Sequence, residues 1–212
     1  MIMIQNHMER GFCTMSGIFE TVQKNLEARG FSVRTFPDGN SATAYLNGVI
    51  DGVKVGFGGS VTLDTTGLYP LLSAHNDVHW HWTGGAEELK DAMTADVYVS
   101  SANALAESGE IINIDGRGNR VAGTLYGAER LYLVIGKNKL APTFENALWR
   151  ARNIAAPKNA KRLGVKTPCA IRGDHCYDCS SPERICRGLV VLWRPMLGMN
   201  TEILLVEEDL GL

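Results

Sequence analysis

Strand-length apolar segments, separated by stretches with helical spacing, constrain this chain more than any other feature. Residues 53–57, 95–100 and 131–135 are three such segments, and the last, Leu131-Tyr132-Leu133-Val134-Ile135, offers nothing charged for a wet face. A strand without polar alternation must be covered on both sides. That is the condition of an interior strand in a parallel sheet with helices on both faces. The intervening stretches supply the helices. Ile18, Val22 and Leu26 recur at a spacing of four, and Gly30 ends a helix expected over residues 16–29. Residues 41–50, 61–72 (with a weak spot at Gly67), 86–93 and 143–156 read as further helices. Residues 31–36, 77–82, 110–114, 120–125, 188–193 and 202–206 read as further strands, with a turn at Asp115-Gly116-Arg117-Gly118-Asn119 joining 110–114 to 120–125. The expected fold is α/β: an open, mostly parallel, Rossmann-like sheet with helices on both faces. Such sheets bind ligands beyond the carboxyl ends of their strands.

A length of 212 residues fits one domain, here residues 16–212, preceded by an N-terminal tail over residues 1–15. Met8 and Met15 are alternative starts. Gln5, Asn6, His7, Glu9 and Arg10 leave that tail no apolar signal-peptide core. No apolar run approaches the roughly 20 residues of a membrane helix. The net charge of -2 is dispersed, so the clustered basic footprint of a nucleic-acid binder is missing. These features predict a cytoplasmic protein with no membrane or nucleic-acid partner.

Four of the five cysteines fall within 18 residues, as Cys169, Cys176, Cys179 and Cys186 in a C-x6-C-x2-C-x6-C pattern. In a reducing compartment such clustering points to metal rather than to disulfides. Thiolates select zinc or iron–sulfur clusters. Gly173, Asp174, Ser180, Ser181 and Pro182 are turn formers, so a loop over residues 167–188 has little apolar content of its own, and a metal can supply its ordering energy. The spacing is similar to the cluster loop of the endonuclease III glycosylases, and Cys₄ ligation suits a [4Fe–4S] cluster. Zinc is the alternative, and four unrelated thiols the plain one. His175 could replace one ligand. His75, His79 and His81 are set aside as packing or surface residues.

Three segments carry a family resemblance. They are Val55-Gly56-Phe57-Gly58-Gly59-Ser60-Val61-Thr62-Leu63, the stretch from Ser101-Ala102-Asn103-Ala104-Leu105-Ala106-Glu107-Ser108-Gly109 through Asn113-Ile114-Asp115-Gly116-Arg117-Gly118-Asn119-Arg120-Val121, and Arg152-Asn153-Ile154-Ala155-Ala156-Pro157-Lys158-Asn159-Ala160 with the cysteine loop after it. Together they resemble the LUD domain of lactate-utilisation proteins, from about residue 16 to the end. The resemblance implies a fold similar to ribose-phosphate isomerase, glucosamine-phosphate deaminase and the CoA transferases, and a link to the oxidation of lactate to pyruvate beside iron–sulfur subunits. The chain lacks the C-x2-C-x2-C-x3-C-P runs of the tandem-ferredoxin type. It resembles a small stand-alone branch with a terminal cysteine loop.

The expected pocket joins two segments. Gly58-Gly59-Ser60 follows a strand and precedes a helix, where open backbone and a helix N-terminus suit a phosphate or carboxylate. The bland alternative is an ordinary strand-to-helix turn. Glu107 is the expected catalytic group, as general base, as nucleophile by analogy with the similar CoA transferases, or as acceptor for a hydroxylated substrate. The alternative is a solvated carboxylate. Ser101 and Asn103 are expected to line the same pocket, Asn119 and Arg120 to contact the ligand or merely to form a hairpin turn, and Lys137, Asn138 and Lys139 to be secondary anion contacts. Three functions remain open: an enzyme acting on a small anionic hydroxy- or oxo-acid or a sugar phosphate; a non-catalytic iron–sulfur electron-transfer or assembly subunit; and a ligand sensor. Redox partner subunits and homo-oligomerisation are compatible with each. No nicotinamide or flavin fingerprint follows the first strand.

Overall fold

The computed structural model describes residues 17–212, so the expected tail lies outside the described residues. In chain order the elements are α1 (Glu20–Ala28), β1 (Ser32–Phe36), α2 (Gly39–Val49), β2 (Lys54–Phe57), α3 (Val61–Thr65), α4 (Leu68–Ser73), β3 (Asp77–His79), α5 (His81–Gly84), α6 (Glu88–Ala92), β4 (Val97–Ser100), β5 (Ala104–Ala106), β6 (Ile111–Asp115), α7 (Asn119–Leu125), β7 (Arg130–Gly136), β8 (Leu140–Ala141), α8 (Phe144–Arg150), α9 (Ala156–Arg162), α10 (Pro168–Arg172), β9 (Gly188–Leu192) and β10 (Asn200–Val206).

A six-stranded sheet in the order β1-β10-β7-β4-β2-β3 forms the centre, with every pair parallel. The three apolar segments that define the sequence are β2, β4 and β7, and all three are interior strands. One face packs Val22 and Leu26 of α1 against Leu131, Leu133, Ile203 and Leu205. The other packs Leu46 of α2, Leu63 and Leu72 against Val55, Val99, Val134 and Leu204. Each of these side chains is buried, and full burial of one aliphatic side chain contributes roughly 1.5–3 kcal/mol. Gly67 breaks the predicted 61–72 helix into α3 and α4, at a backbone φ of +67°.

A second sheet, β8-β5-β6-β9, is mixed: β5 pairs in parallel with β8, while β6 runs antiparallel to both β5 and β9. It covers α8 through Ala104, Ala106, Ile112, Ala141, Ala147 and Ala151.

Three local expectations are corrected. Residues 120–125 are helical, within α7, and not a strand. The Asp115 carboxylate accepts from the backbone N–H groups of Arg117, Gly118 and Val121, which turns the chain into the helix, and Gly118 at φ +92° completes the turn. The strand expected at 77–82 stops at His79, because Trp80 C=O accepts from Thr83 and Gly84 and starts a helical turn. The helix expected to end at 156 continues to Arg162 past Pro157. A π-helical turn over Ala151–Ala155 widens the helix just before the proline, which has no N–H to give to the ladder.

Candidate functional site

The carboxyl ends of β2, β4 and β7 open together onto one cavity of about 550 Å³. After β2 comes Gly58-Gly59-Ser60. Ser60 is the N-cap of α3, its Oγ accepting from Leu63 N–H, and Gly59 and Ser60 line the cavity with Thr62. After β4 come Ser101, Ala102 and Asn103, and after β7 comes Lys139; all of these line it too. The far wall is the π turn and α9 (Ala155, Ala156, Asn159, Arg162), together with Arg184, Ile185 and Arg187 of the cysteine loop.

The charge of this cavity is one-sided. Lys139, Arg117, Arg120, Arg162, Arg184 and Arg187 line it, against the single carboxylate of Asp115 among side chains. A chain whose net charge is -2 thus concentrates positive charge at the sheet edge where α/β folds bind ligands. Arg120 is fixed from behind. Its guanidinium donates to Asn103 Oδ1 at 3.0 Å and Ile114 C=O at 2.6 Å and lies 3.6 Å from Asp115. Burial lowers its pKa, and Asp115 opposes that shift.

Lys139 is 3% exposed and, among the described residues, has no carboxylate partner. Its Nζ donates to Thr62 Oγ1 at 2.6 Å and Ser101 Oγ at 2.8 Å. Burial, with repulsion from Arg150 and Arg120, pushes its pKa well below the ordinary lysine range. Arg150 donates to the Asn138 and Asn103 carbonyls and so braces the segments that carry Lys139 and Asn103.

His81 and Trp82 roof the cavity over Gly59. A Cβ at Gly59 would lie 3.1 Å from both rings, so only glycine leaves them this close to the backbone. Arg162 stacks on Trp82 at 4.8 Å. Burial and the Arg117 charge depress the His81 pKa, which favours a neutral imidazole able to accept a proton.

The expected pocket residues therefore divide. Gly59, Ser60, Ser101, Asn103 and Arg120 meet at the cavity. Gly58 does not line it; it gives room to Arg120, whose Cγ would sit 2.9 Å from a Cβ there. Asn119 sits at the start of α7 outside the lining, and so do Lys137 and Asn138. Glu107 does not share the cavity with Ser60. The chain leaves the parallel sheet after Ser100 and enters β5, which carries Glu107 to the far end of the second sheet. There its side chain is exposed, its N–H donates to Ala141 C=O, and its carbonyl accepts from Asn25. Sequence reasoning missed His81, Trp82 and Thr62, and ranked Lys139 only as a secondary contact.

Cys169, Cys176, Cys179 and Cys186 are free thiols, all half-buried, and border one small cavity with Arg152, Thr167 and Arg184. Asp178 N–H donates to Cys176 Sγ at 3.4 Å, and Asp178 itself takes a left-handed φ of +45°. Asn153 in the π turn holds Cys176 N–H at 3.2 Å, and Arg184 ties the Cys179 and Cys186 carbonyls together. Thiolate donors are of the type that a soft metal takes. Among the described residues, however, no three Cys, His, Asp or Glu side chains are grouped so as to hold an ion. Ala156, Arg184 and Ile185 line both cavities, so the two are neighbours.

The profile of the LUD domain matches residues 19–204. Among solved structures, a DUF162-family protein from Deinococcus radiodurans superposes with a TM-score of 0.51 at 13% identity, covering 89% of this chain and 95% of that one. This likeness concerns the fold. No curated protein matches the sequence. No described helix is long and apolar enough to cross a membrane.

Proposed function

Because the chain belongs to the LUD-domain family, which relates to lactate utilisation, we propose that it binds a small anionic hydroxy- or oxo-acid or sugar phosphate in the cavity at the carboxyl edge of β2, β4 and β7. One observation carries the reading: five arginine side chains line the cavity beside the buried Lys139, with Asp115 the one acidic side chain in the lining. Arg120, held by Asn103 and Asp115, presents a preorganised guanidinium for a carboxylate or phosphate. Ser60 and the N–H groups that begin α3 add neutral donors. His81 stands over the same space as a proton acceptor, beside the Trp82–Arg162 stack. The test is a thermal-shift screen with lactate, pyruvate, inorganic phosphate and ribose 5-phosphate. Stabilisation by at least one, weakened by added salt and lost in Arg120→Met, is the expected result. No stabilisation by any of the four contradicts the reading.

The neighbouring cysteine cavity supports a second reading, that of an iron–sulfur protein working with redox partners. Cys169, Cys176, Cys179 and Cys186 would hold a [4Fe–4S] cluster or, alternatively, zinc. A bound cluster would supply one-electron chemistry, whereas zinc would only order the loop. Arg184 lines both cavities and so places the cysteine loop beside the ligand wall. Metal analysis and an anaerobic ultraviolet–visible spectrum decide between iron, zinc and neither.

A further inference from the structure

We propose that Lys139 is a nucleophilic amine that forms an imine with a carbonyl ligand, a role that rests on the anion-binding reading of the same cavity. The geometry is that of a held neutral amine. The Ser101 hydroxyl donates to Val134 C=O at 2.6 Å and Thr62 donates toward Leu210 C=O at 3.4 Å, so both oxygens turn lone pairs, not protons, toward Nζ. Nζ answers with two N–H bonds, at 2.6 and 2.8 Å. Cε and two donated hydrogens occupy three corners of the nitrogen tetrahedron. The fourth corner is left for the lone pair, and Lys139, Thr62 and Ser101 all line the cavity, while the accepting carbonyls of Val134 and Leu210 lie behind them. Among the described residues no side-chain carboxylate pairs with Nζ, and the Arg150 and Arg120 charges disfavour the ammonium form. A lysine made nucleophilic by desolvation and cationic neighbours is a known device of covalent catalysis.

The step balances without a co-reactant. The Nζ lone pair bonds to the carbonyl carbon as the π electrons move to oxygen. The nitrogen gives up its two protons, the oxygen leaves as water, and a carbon–nitrogen double bond remains. An oxo-acid or an open-chain sugar phosphate fits, because its anionic group would be taken by Arg120 while its carbonyl meets Nζ.

The test uses the full chain with pyruvate, and separately with pyridoxal 5′-phosphate, each in the presence of cyanoborohydride, followed by peptide mapping. The expected result is modification of Lys139, although it is buried, ahead of the exposed Lys137, Lys158, Lys161 and Lys166. Lys139→Met and Lys139→Arg abolish that adduct, and the Arg variant keeps the positive charge. If the adducts spread over the exposed lysines and spare Lys139, the amine role is overturned. The thermal-shift screen separates the two claims. Phosphate or pyruvate that stabilises the wild type without a Lys139 adduct refutes the imine and leaves the anion site standing. No stabilisation and no adduct refutes both.

Discussion

Replacing Lys139 by Met should make the protein more stable while removing the chemistry of its cavity. The ammonium would have to leave water for a site where it is 3% exposed, with two guanidiniums acting on it and, among the described residues, no carboxylate partner. From a neutral amine its two hydroxyl bonds return about 0.5–1.5 kcal/mol each, against a cost of several kcal/mol for burying the ammonium or giving up its proton. Methionine has similar length, fills the same channel and costs little in packing. Thr62 and Ser101 keep their bonds to Leu210 and Val134. The balance favours Met by about 2 kcal/mol, which at this chain length raises the unfolding midpoint by about 4–8 °C. The pH dependence has a definite sign. The folded lysine has the lower pKa, so between the two values the unfolded chain holds a proton that the folded chain lacks. Wild-type stability therefore rises with pH across that window, up to the ordinary lysine value of about 10.4, and the advantage of Met shrinks as pH rises. Calorimetry of both proteins from neutral to alkaline pH measures this. A Met variant that melts several degrees below wild type at neutral pH, with a difference that grows in alkali, would refute the reasoning.

Other perturbations have equally direct readouts. A Cβ added by Gly123→Ala lies 2.4 Å from the buried Tyr98 ring, so denaturant titration should show a loss of roughly 1–3 kcal/mol from overpacking. Gly56→Ala puts its Cβ 2.3 Å from the Ala92 carbonyl oxygen, which is backbone, and should reduce soluble yield more than Gly123→Ala does. Burial and Arg117 hold the His81 pKa down, so the unfolded chain protonates first as pH falls below about 6.5. Stability is then lost on acidification, and His81→Gln should flatten that limb of a pH–melting curve. Anaerobically purified protein should carry iron or zinc near one site per chain, and Cys176→Ser should lower that content; equal metal content in the variant would remove Cys176 from the site.

Much of the fold was legible because burial on two faces leaves a plain mark. β2, β4 and β7 read as interior strands because nothing in them alternates. The second sheet was far less legible. β5 is only Ala104, Leu105 and Ala106, and β8 only Leu140 and Ala141, too short for any periodicity to register. That gap had a functional cost. With β5 unseen, Glu107 was set at the edge of the parallel sheet, when the chain in fact turns away after Ser100. Residues 120–125 resembled a strand because the Asp115-Gly116-Arg117-Gly118-Asn119 turn, with its two glycines, also suits a hairpin; the three bonds to the Asp115 carboxylate settle the competition for helix. Ser60, Ser101 and Asn103 were found through their position after strands, a rule that survives errors in boundaries. His81 was lost when a helical turn was read as a strand. The positive cavity could not be read at all. Its cations are scattered from Arg117 to Arg187, and only folding brings them to one wall.

The central claim is that this cavity is an anion site, and isothermal titration of the full chain with ribose 5-phosphate and with pyruvate, at low and high salt, tests it most directly. The account predicts saturable binding of at least one of them at one site per chain, weaker at high salt, and lost in Arg120→Met while that variant still melts cooperatively. Binding that is indifferent to both salt and Arg120, or no binding of either anion, would contradict it.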